Sequence, residues 1–381
     1  MSQFIFNPAL AVAIAFSILL HDWEKDQLLL ATGVEALAER LHSTPIPVPG
    51  AWPAGVHTHR SLADIGAVRL STKVCSIERG QQHGQQHGGE GPGEGQQLWV
   101  QSQGVGLDAA EGPCWEPYDA VIVAATSSAM QHMGLCKESP QLSAAVPSAG
   151  KPCATIEGGL LSPKVRVALQ RGNLISSSKL FIRTEKKFWK GTTGGSGSGS
   201  GADGGGAGTA SCPVILTDGL ARGFYCLDYP QTDNGVVCVS YTWGADSTKL
   251  LGLNDRERLH LFMQSIHDAS PETAAQLVPL HDEVLSIDWD TEPGYHGAFK
   301  LNLPGQDSNQ QAAYFQFQTC LREAEDTGVY LAGDSVSWSG GWVEGALQTG
   351  LNAACAAAHR CEVDVVGGSP LSQNDSLYKY N

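Results

Sequence analysis

The stretch GVYLAGDSVSWSGGWVEGALQTGLNAACAAAHR, from Gly328 to Arg360, holds the residue types whose order points most directly to chemistry. An apolar run ends in Gly333-Asp334, a turn passes through Ser339-Gly340-Gly341, and a helical pattern opens at Trp342. The free N–H groups and positive dipole end of a helix N-terminus stabilise negative charge, from a phosphate or a reduced flavin ring. The predicted helix carries Gly345, Ala346, Thr349, Gly350, Ala353 and Ala357 along one side, small residues that allow close packing on a sheet. The same order also fits a strand, a turn and a helix that pack without any ligand. A different chemistry for the same block is a serine nucleophile, Ser335 in Gly333-Asp334-Ser335, as in GDS-type esterases. Those enzymes carry the block near the N-terminus and an Asp-x-x-His later, whereas here it lies near the C-terminal end and no Asp precedes a His by three residues.

Metal and disulfide chemistry find little support. The ten cysteines form no Cys-x-x-Cys pair and are expected to be reduced thiols in an intracellular protein. His83 and His87 belong to the repeat GQQHGQQHGG, a low-complexity setting that argues against a formed metal site.

The elements that must position the turn read as an α/β chain. VRLSTKVCSIERG predicts a strand, and the insert Gly80 to Gln97 falls where a hairpin would turn before LWVQSQG. An insert at a hairpin tip leaves a fold intact. Tyr118 to Thr126 (YDAVIVAAT) is continuously apolar, as in a parallel strand covered on both faces. In Ser176 to Trp189 (SSSKLFIRTEKKFW), Leu180, Ile182 and Thr184 alternate with Lys179, Phe181 and Arg183, and a second glycine-rich insert follows at Gly191 to Ala210. FYCLDYPQTDNGVVCVSYTWG predicts two strands joined at Asp233-Asn234-Gly235. Helices are predicted for Asp255 to His267 and Trp342 to Arg360, with a short strand at Gly328 to Ala332 and apolar residues at helical spacing from Val34 to Leu41.

At 381 residues the chain is long enough for two domains, and 17 of its 45 glycines fall in the two inserts, so the remainder has an ordinary globular composition. A formal charge of −15 opposes nucleic-acid and anionic membrane partners. Ala9 to Leu20 is apolar, but at twelve residues it is too short to span a bilayer, and no basic residue precedes it as in a secretory signal, so a buried helix is expected. A cytoplasmic location is expected, since no complete targeting signal is visible and the sequon Asn374-Asp375-Ser376 weighs little against it.

Five segments in order, YDAVIVAAT, SSSKLFIRTEKKFW, LDYPQTDNGVVCVSYTWGADSTKLL, IDWDTEPGYHGAFKLNLPGQD and AGDSVSWSGGWVEGALQTGLNAA, resemble the flavin-dependent amine oxidase superfamily. The resemblance is to the branch of L-amino-acid oxidases, tryptophan 2-monooxygenases and phenylalanine oxidases, and it spans about residue 4 to residue 360 apart from the inserts. It implies FAD as cofactor and oxidation of an L-amino acid, aromatic or large and apolar, by hydride transfer to flavin with O2 as acceptor. Polyamine or monoamine oxidation is the alternative. An oxidase gives a 2-oxo acid, ammonia and H2O2, and a monooxygenase an amide; the residues leave both open.

By resemblance Lys179 matches the family lysine that reaches through a water toward flavin N5, Asp334 the acidic residue at the ribityl-pyrophosphate, and Gly333 the close approach beside it. Gly341, Trp342 and Val343 match the turn whose backbone N–H groups face the flavin, and Trp342 also walls the substrate site. Val74 matches a strand residue whose backbone contacts the adenine, and Tyr229 an aromatic hydroxyl for the substrate carboxylate. Without the motif, Lys179 would read as a strand lysine reaching solvent, Trp342 as a core aromatic and Val74 as a plain strand valine.

The family also carries a dinucleotide-binding βαβ unit with Gly-x-Gly-x-x-Gly and a substrate-carboxylate arginine, toward the N-terminus of its fold. The formal match here, Gly199 to Gly204, sits in the glycine-rich insert with neither strand before it nor helix after it. The expected architecture is therefore an incomplete FAD-binding Rossmann-like domain interleaved with a mixed-sheet substrate domain, α/β with α+β character. Segment 1–30 is expected to be a substrate-domain helix, 31–130 an FAD-domain segment carrying the insert 80–97, and 131–325 the substrate domain with the insert 191–210. Segment 326–360 is the C-terminal FAD-domain strand, turn and helix, and 361–381 a tail. Met1 is expected to fall inside the family fold, which leaves open a truncated, split or degenerate flavoenzyme. Expected partners are a small amino acid or amine with O2, and either a second copy of the chain or a separate N-terminal half.

Overall fold

The computed structural model describes residues 35–45, 61–80, 97–106, 112–136, 159–190, 214–277, 283–317 and 326–363. The apolar run Ala9 to Leu20, the histidine repeat and the 191–210 insert lie outside the described residues. The chain divides into two compact units that alternate along it, one of residues 1–69 and 176–288, the other of residues 70–175 and 289–381. Reading the sequence grouped 131–325 together; the structural divisions run after Arg69, Ile175 and Asp288.

Following the chain, α1 (Glu35–Ser43) has no buried residue, and Leu37 and Leu41 of its apolar pattern are exposed. β1 (Thr72–Arg79), β2 (Leu98–Gly104) and β3 (Cys114–Tyr118) form an antiparallel meander whose first hairpin carries the insert beyond Arg79. β4 (Val121–Val123) follows, shorter than the apolar run that predicts it, with Val123 buried and Ile122 exposed. It leads into α2 (Ser127–His132), capped by Thr126, whose hydroxyl accepts from Ala129 N–H at 3.2 Å. α3 (Pro163–Arg171) begins with proline after its Ser162 cap, and β5 (Leu174–Ile175) completes this part of the second unit.

The first unit then forms one five-stranded antiparallel sheet. Its strands are β6 (Ser177–Thr184), β7 (Val214–Leu216), β8 (Gly223–Leu227), β9 (Gly235–Trp243) and β10 (Val284–Asp288), in the spatial order β10-β6-β9-β8-β7. The alternation in β6 is realised: Leu180, Ile182 and Thr184 are buried while Arg183 on the opposite face is exposed. The hairpin signalled by Asp233-Asn234-Gly235 forms between β8 and β9, and Gly235 opens β9 where a Cβ would approach the Trp189 ring to 2.7 Å. After the single turn α4 (Ala245–Thr248), α5 (Asp255–Ala269) covers one face of the sheet with Leu259, Phe262 and Ile266, packed with Leu180, Phe224, Val237 and Val239. Its start is a capping box, in which Asn254 Oδ1 accepts from Glu257 N–H at 3.1 Å and the Glu257 carboxylate accepts from Asn254 N–H at 2.9 Å. α6 (Pro271–Leu277) adds Ala274 and Leu277 to the same core.

The second unit resumes with β11 (Phe299–Lys300), paired antiparallel to β5, and α7 (Asp307–Tyr314). β12 (Val329–Leu331) pairs parallel to β4, and a single 3-10 turn, Asp334–Val336, separates it from α8 (Val343–Arg360). α8 sets Ala353 and Ala356 against Tyr330 and Ala332, so its small residues bring helix and strand close. At the strand's start, Arg360 holds Asp326 at 3.1 Å while Asp326 accepts from Tyr330 Oη at 2.9 Å, fixing both ends of the β12 to α8 unit.

Candidate flavin turn and lysine face

The second unit gathers Gly333, Asp334, Gly341, Trp342 and Val343 in one turn between β12 and α8. Gly333 has φ of 107°, in the left-handed region that disfavours a side chain, and its N–H donates to Thr349 Oγ1 at 3.0 Å. Asp334 faces into the turn: its Oδ2 accepts from Gly341 N–H at 3.0 Å and from Lys300 N–H at 3.4 Å. Gly340 sits so close to β11 that a Cβ would lie 2.6 Å from the Lys300 carbonyl oxygen. Ser337 Oγ donates to the Asp334 carbonyl at 2.8 Å, and Asn302 Nδ2 donates to the Trp338 carbonyl at 2.8 Å.

The helix that follows starts at Trp342 without a side-chain cap, which leaves its first-turn N–H groups to other acceptors. Trp342 and Val343 are exposed rather than core residues. Ser335 is 6% exposed and its Oγ has no hydrogen-bond partner. It lines a cleft of about 320 Å³, part of it open solvent, together with Ser127, Arg171, Lys300 and Gln310. A buried orphan hydroxyl and an uncapped eighteen-residue helix fit an anionic ligand such as the flavin dinucleotide.

Lys179 and Tyr229 lie in the first unit. Lys179, on β6, stands opposite Tyr241 of β9 and puts its ammonium 4.6 Å from the centre of the Tyr241 ring. Tyr241 packs edge-on against Trp243 at 5.4 Å. Burial raises the phenol of Tyr241, and it raises Tyr225 to about 12 and the thiol of Cys238 to about 11. Tyr229 follows β8, where its carbonyl accepts from Lys187 Nζ at 2.5 Å. Val74 sits on β1 at a register shift between Val74 and Ser76 and is exposed.

Two participants were not singled out from sequence. Tyr241 could have been found from the register of the Ser176 to Trp189 and Gly235 to Trp243 strands. Lys300 gave no local signal, because β11 is two residues long and its packing on the turn is a long-range contact.

Residues 4–358 match the family model for flavin containing amine oxidoreductases. A tryptophan 2-monooxygenase of Rhizobium radiobacter is 41% identical over 236 residues, 60% of this chain and 29% of that protein. A tryptophan 2-monooxygenase of Pantoea agglomerans pv. gypsophilae is 32% identical over 379 residues, 95% of this chain and 53% of its own length. A solved putrescine oxidase triple mutant aligns with 79% of this chain and 51% of its own at 13% identity and a TM-score of 0.47. The strand, glycine turn and uncapped helix thus sit in a chain that belongs to the flavin containing amine oxidoreductase family, an enzyme family whose cofactor is FAD. Its tryptophan 2-monooxygenase relatives fit the amino-acid branch, and the chain spans between 29% and 53% of the length of these two.

Proposed function

We propose that the protein oxidises an L-amino acid with an aromatic or large apolar side chain, using FAD and O2. The observation that carries the reading is the turn itself, with Asp334 folded onto Gly341, a buried orphan Ser335 hydroxyl and an uncapped helix start. The similarity to tryptophan 2-monooxygenases supports the amino-acid substrate class.

Bound FAD supplies the hydride acceptor and returns the electrons to O2. The backbone N–H groups after Trp342 would bind its negative charge, Gly333 and Gly341 would allow the approach, Asp334 would keep the turn in shape, and Val74 would meet the adenine through its backbone. Trp342 would wall the substrate, Tyr229 would hold its carboxylate, and Lys179 would hold a proton at Nζ beside the reacting centre. The neutral amino acid loses a hydride and a proton to become an imino acid, and water releases ammonia and a 2-oxo acid as O2 becomes H2O2. In the monooxygenase outcome the same substrate loses CO2 and leaves as an amide that carries one oxygen atom of O2, the other leaving as water.

Among the described residues no helix is long and apolar enough to cross a membrane. We place the protein in the cytoplasm, acting on a small molecule with O2. The function is tested by incubating the FAD-treated chain with L-tryptophan, L-phenylalanine and putrescine while following O2 uptake and products. Aromatic amino acids should turn over and putrescine should not, and Lys179→Met should lower kcat by roughly a hundredfold or more. Turnover of putrescine alone would reject the amino-acid assignment.

A further inference from the structure

Lys300 is 7% exposed, and it touches the flavin turn in four ways. Its Nζ donates to the Ser337 carbonyl at 2.6 Å, and its own N–H donates to Asp334 Oδ2 at 3.4 Å. Its carbonyl oxygen and Cβ lie where a side chain on Gly340 would have to go, at 2.6 and 2.9 Å. Two residues on, Asn302 donates to the next carbonyl of the turn, that of Trp338. The segment Phe299 to Asn302 is thus a strap across Asp334 to Gly341, and Lys300 is its charged point.

We propose that Lys300 is a positioning residue for this turn: through its bond to the Ser337 carbonyl beside the Asp334 carboxylate, it holds the arc that sets the start of α8 toward flavin. What the turn presents rests on the flavin reading; the hold on the turn is a property of the chain alone. Removing the donor leaves a buried carbonyl unsatisfied, a loss that falls on the turn first.

The charge of Lys300 adds a signature that packing alone would lack. Burial pulls its pKa down to about 8, with the Asp334 carboxylate opposing the shift. The cleft beside it brings one further charged group, Arg171 of α3; the cleft residues of α7 (Asn309, Gln310 and Ala313) and the two residues of β5 carry none. The folded pKa is below that of the solvated lysine, so the open turn binds more protons than the closed one. Closure is therefore favoured as pH rises from below 8 toward 10.5.

The test is hydrogen exchange on the full chain without FAD, comparing the amides of residues 335–343 with those of β4 and β12 after correction for intrinsic rates. In the wild-type chain, protection of the turn relative to those strands should rise about tenfold from pH 7 to pH 9. Lys300→Met should exchange its turn about tenfold faster than wild type at pH 7 and lose that rise, while Lys300→Arg, which keeps a charged donor but does not titrate, should match the wild type at pH 7 and show no rise. A Met variant within twofold of wild type, or one that loosens β4 and β12 equally, would overturn the proposal. Where neither variant folds, the wild-type series decides, and a flat profile overturns it. A chain that retains no flavin would defeat the functional reading while leaving this exchange result standing.

Discussion

Gly341 donates its backbone N–H to Asp334 Oδ2 at 3.0 Å, so the acidic residue at the end of β12 shapes the same turn that leads into α8. A carboxylate that bridges seven residues of backbone fixes where the helix begins. The aspartate thereby acts on the helix start through the backbone of the turn.

Asp334→Ala removes the acceptor for Gly341 and for Lys300 N–H. Stability should fall by about 1.5–3 kcal/mol, the usual scale for a bond to a charged group, as read by chemical denaturation. FAD affinity should fall at least tenfold by flavin fluorescence, with Asp334→Asn between that variant and wild type.

Gly340→Ala tests close approach without any change of charge. Its Cβ would sit 2.6 Å from the Lys300 carbonyl oxygen, a backbone atom that cannot swing away. Overpacking of this kind costs about 1–3 kcal/mol, whereas Gly350→Ala within α8, with open space around the new methyl, should be neutral or stabilising in the same melt.

In the other unit, Arg258 is 4% exposed and pairs with Asp288 at 2.8 Å, joining α5 to the end of β10. Asp288→Ala leaves that guanidinium buried without its carboxylate. A loss of about 3–5 kcal/mol is expected in urea unfolding, and replacing both residues by apolar side chains should recover most of it.

Alkaline stability should report Cys238, a fully packed thiol raised from 9.0 to about 11 by burial. The folded form holds its proton more tightly than the unfolded form. Its contribution is fully present below pH 9 and is lost as pH rises to 11, about 2–3 kcal/mol in all. Cys238→Ala should flatten that part of the stability profile; an unchanged slope between pH 9 and 11 would assign it to Tyr225 and Tyr241.

Elements with strong local patterns were legible in the sequence. The alternation of Leu180, Ile182 and Thr184, the helical pattern from Asp255 to His267 and the order from Gly328 to Arg360 all have counterparts in the structure. Relationships set by distant packing were not. Lys300 meets Ser337 across 37 residues, and Tyr241 reaches Lys179 only through strand register, so neither leaves a pattern in its own neighbourhood. The Asp233-Asn234-Gly235 hairpin signal was legible too: β8 and β9 pair antiparallel across it, with Gly235 opening β9 beside the Trp189 ring.

The most direct test of the flavin assignment is the visible absorption spectrum of the full chain after incubation with excess FAD and removal of unbound cofactor. Oxidised-flavin bands at one FAD per chain, bleached by an aromatic L-amino acid without O2 and restored by air, are the predicted result. A colourless protein would contradict the claim that this turn, within this chain, suffices to hold the cofactor.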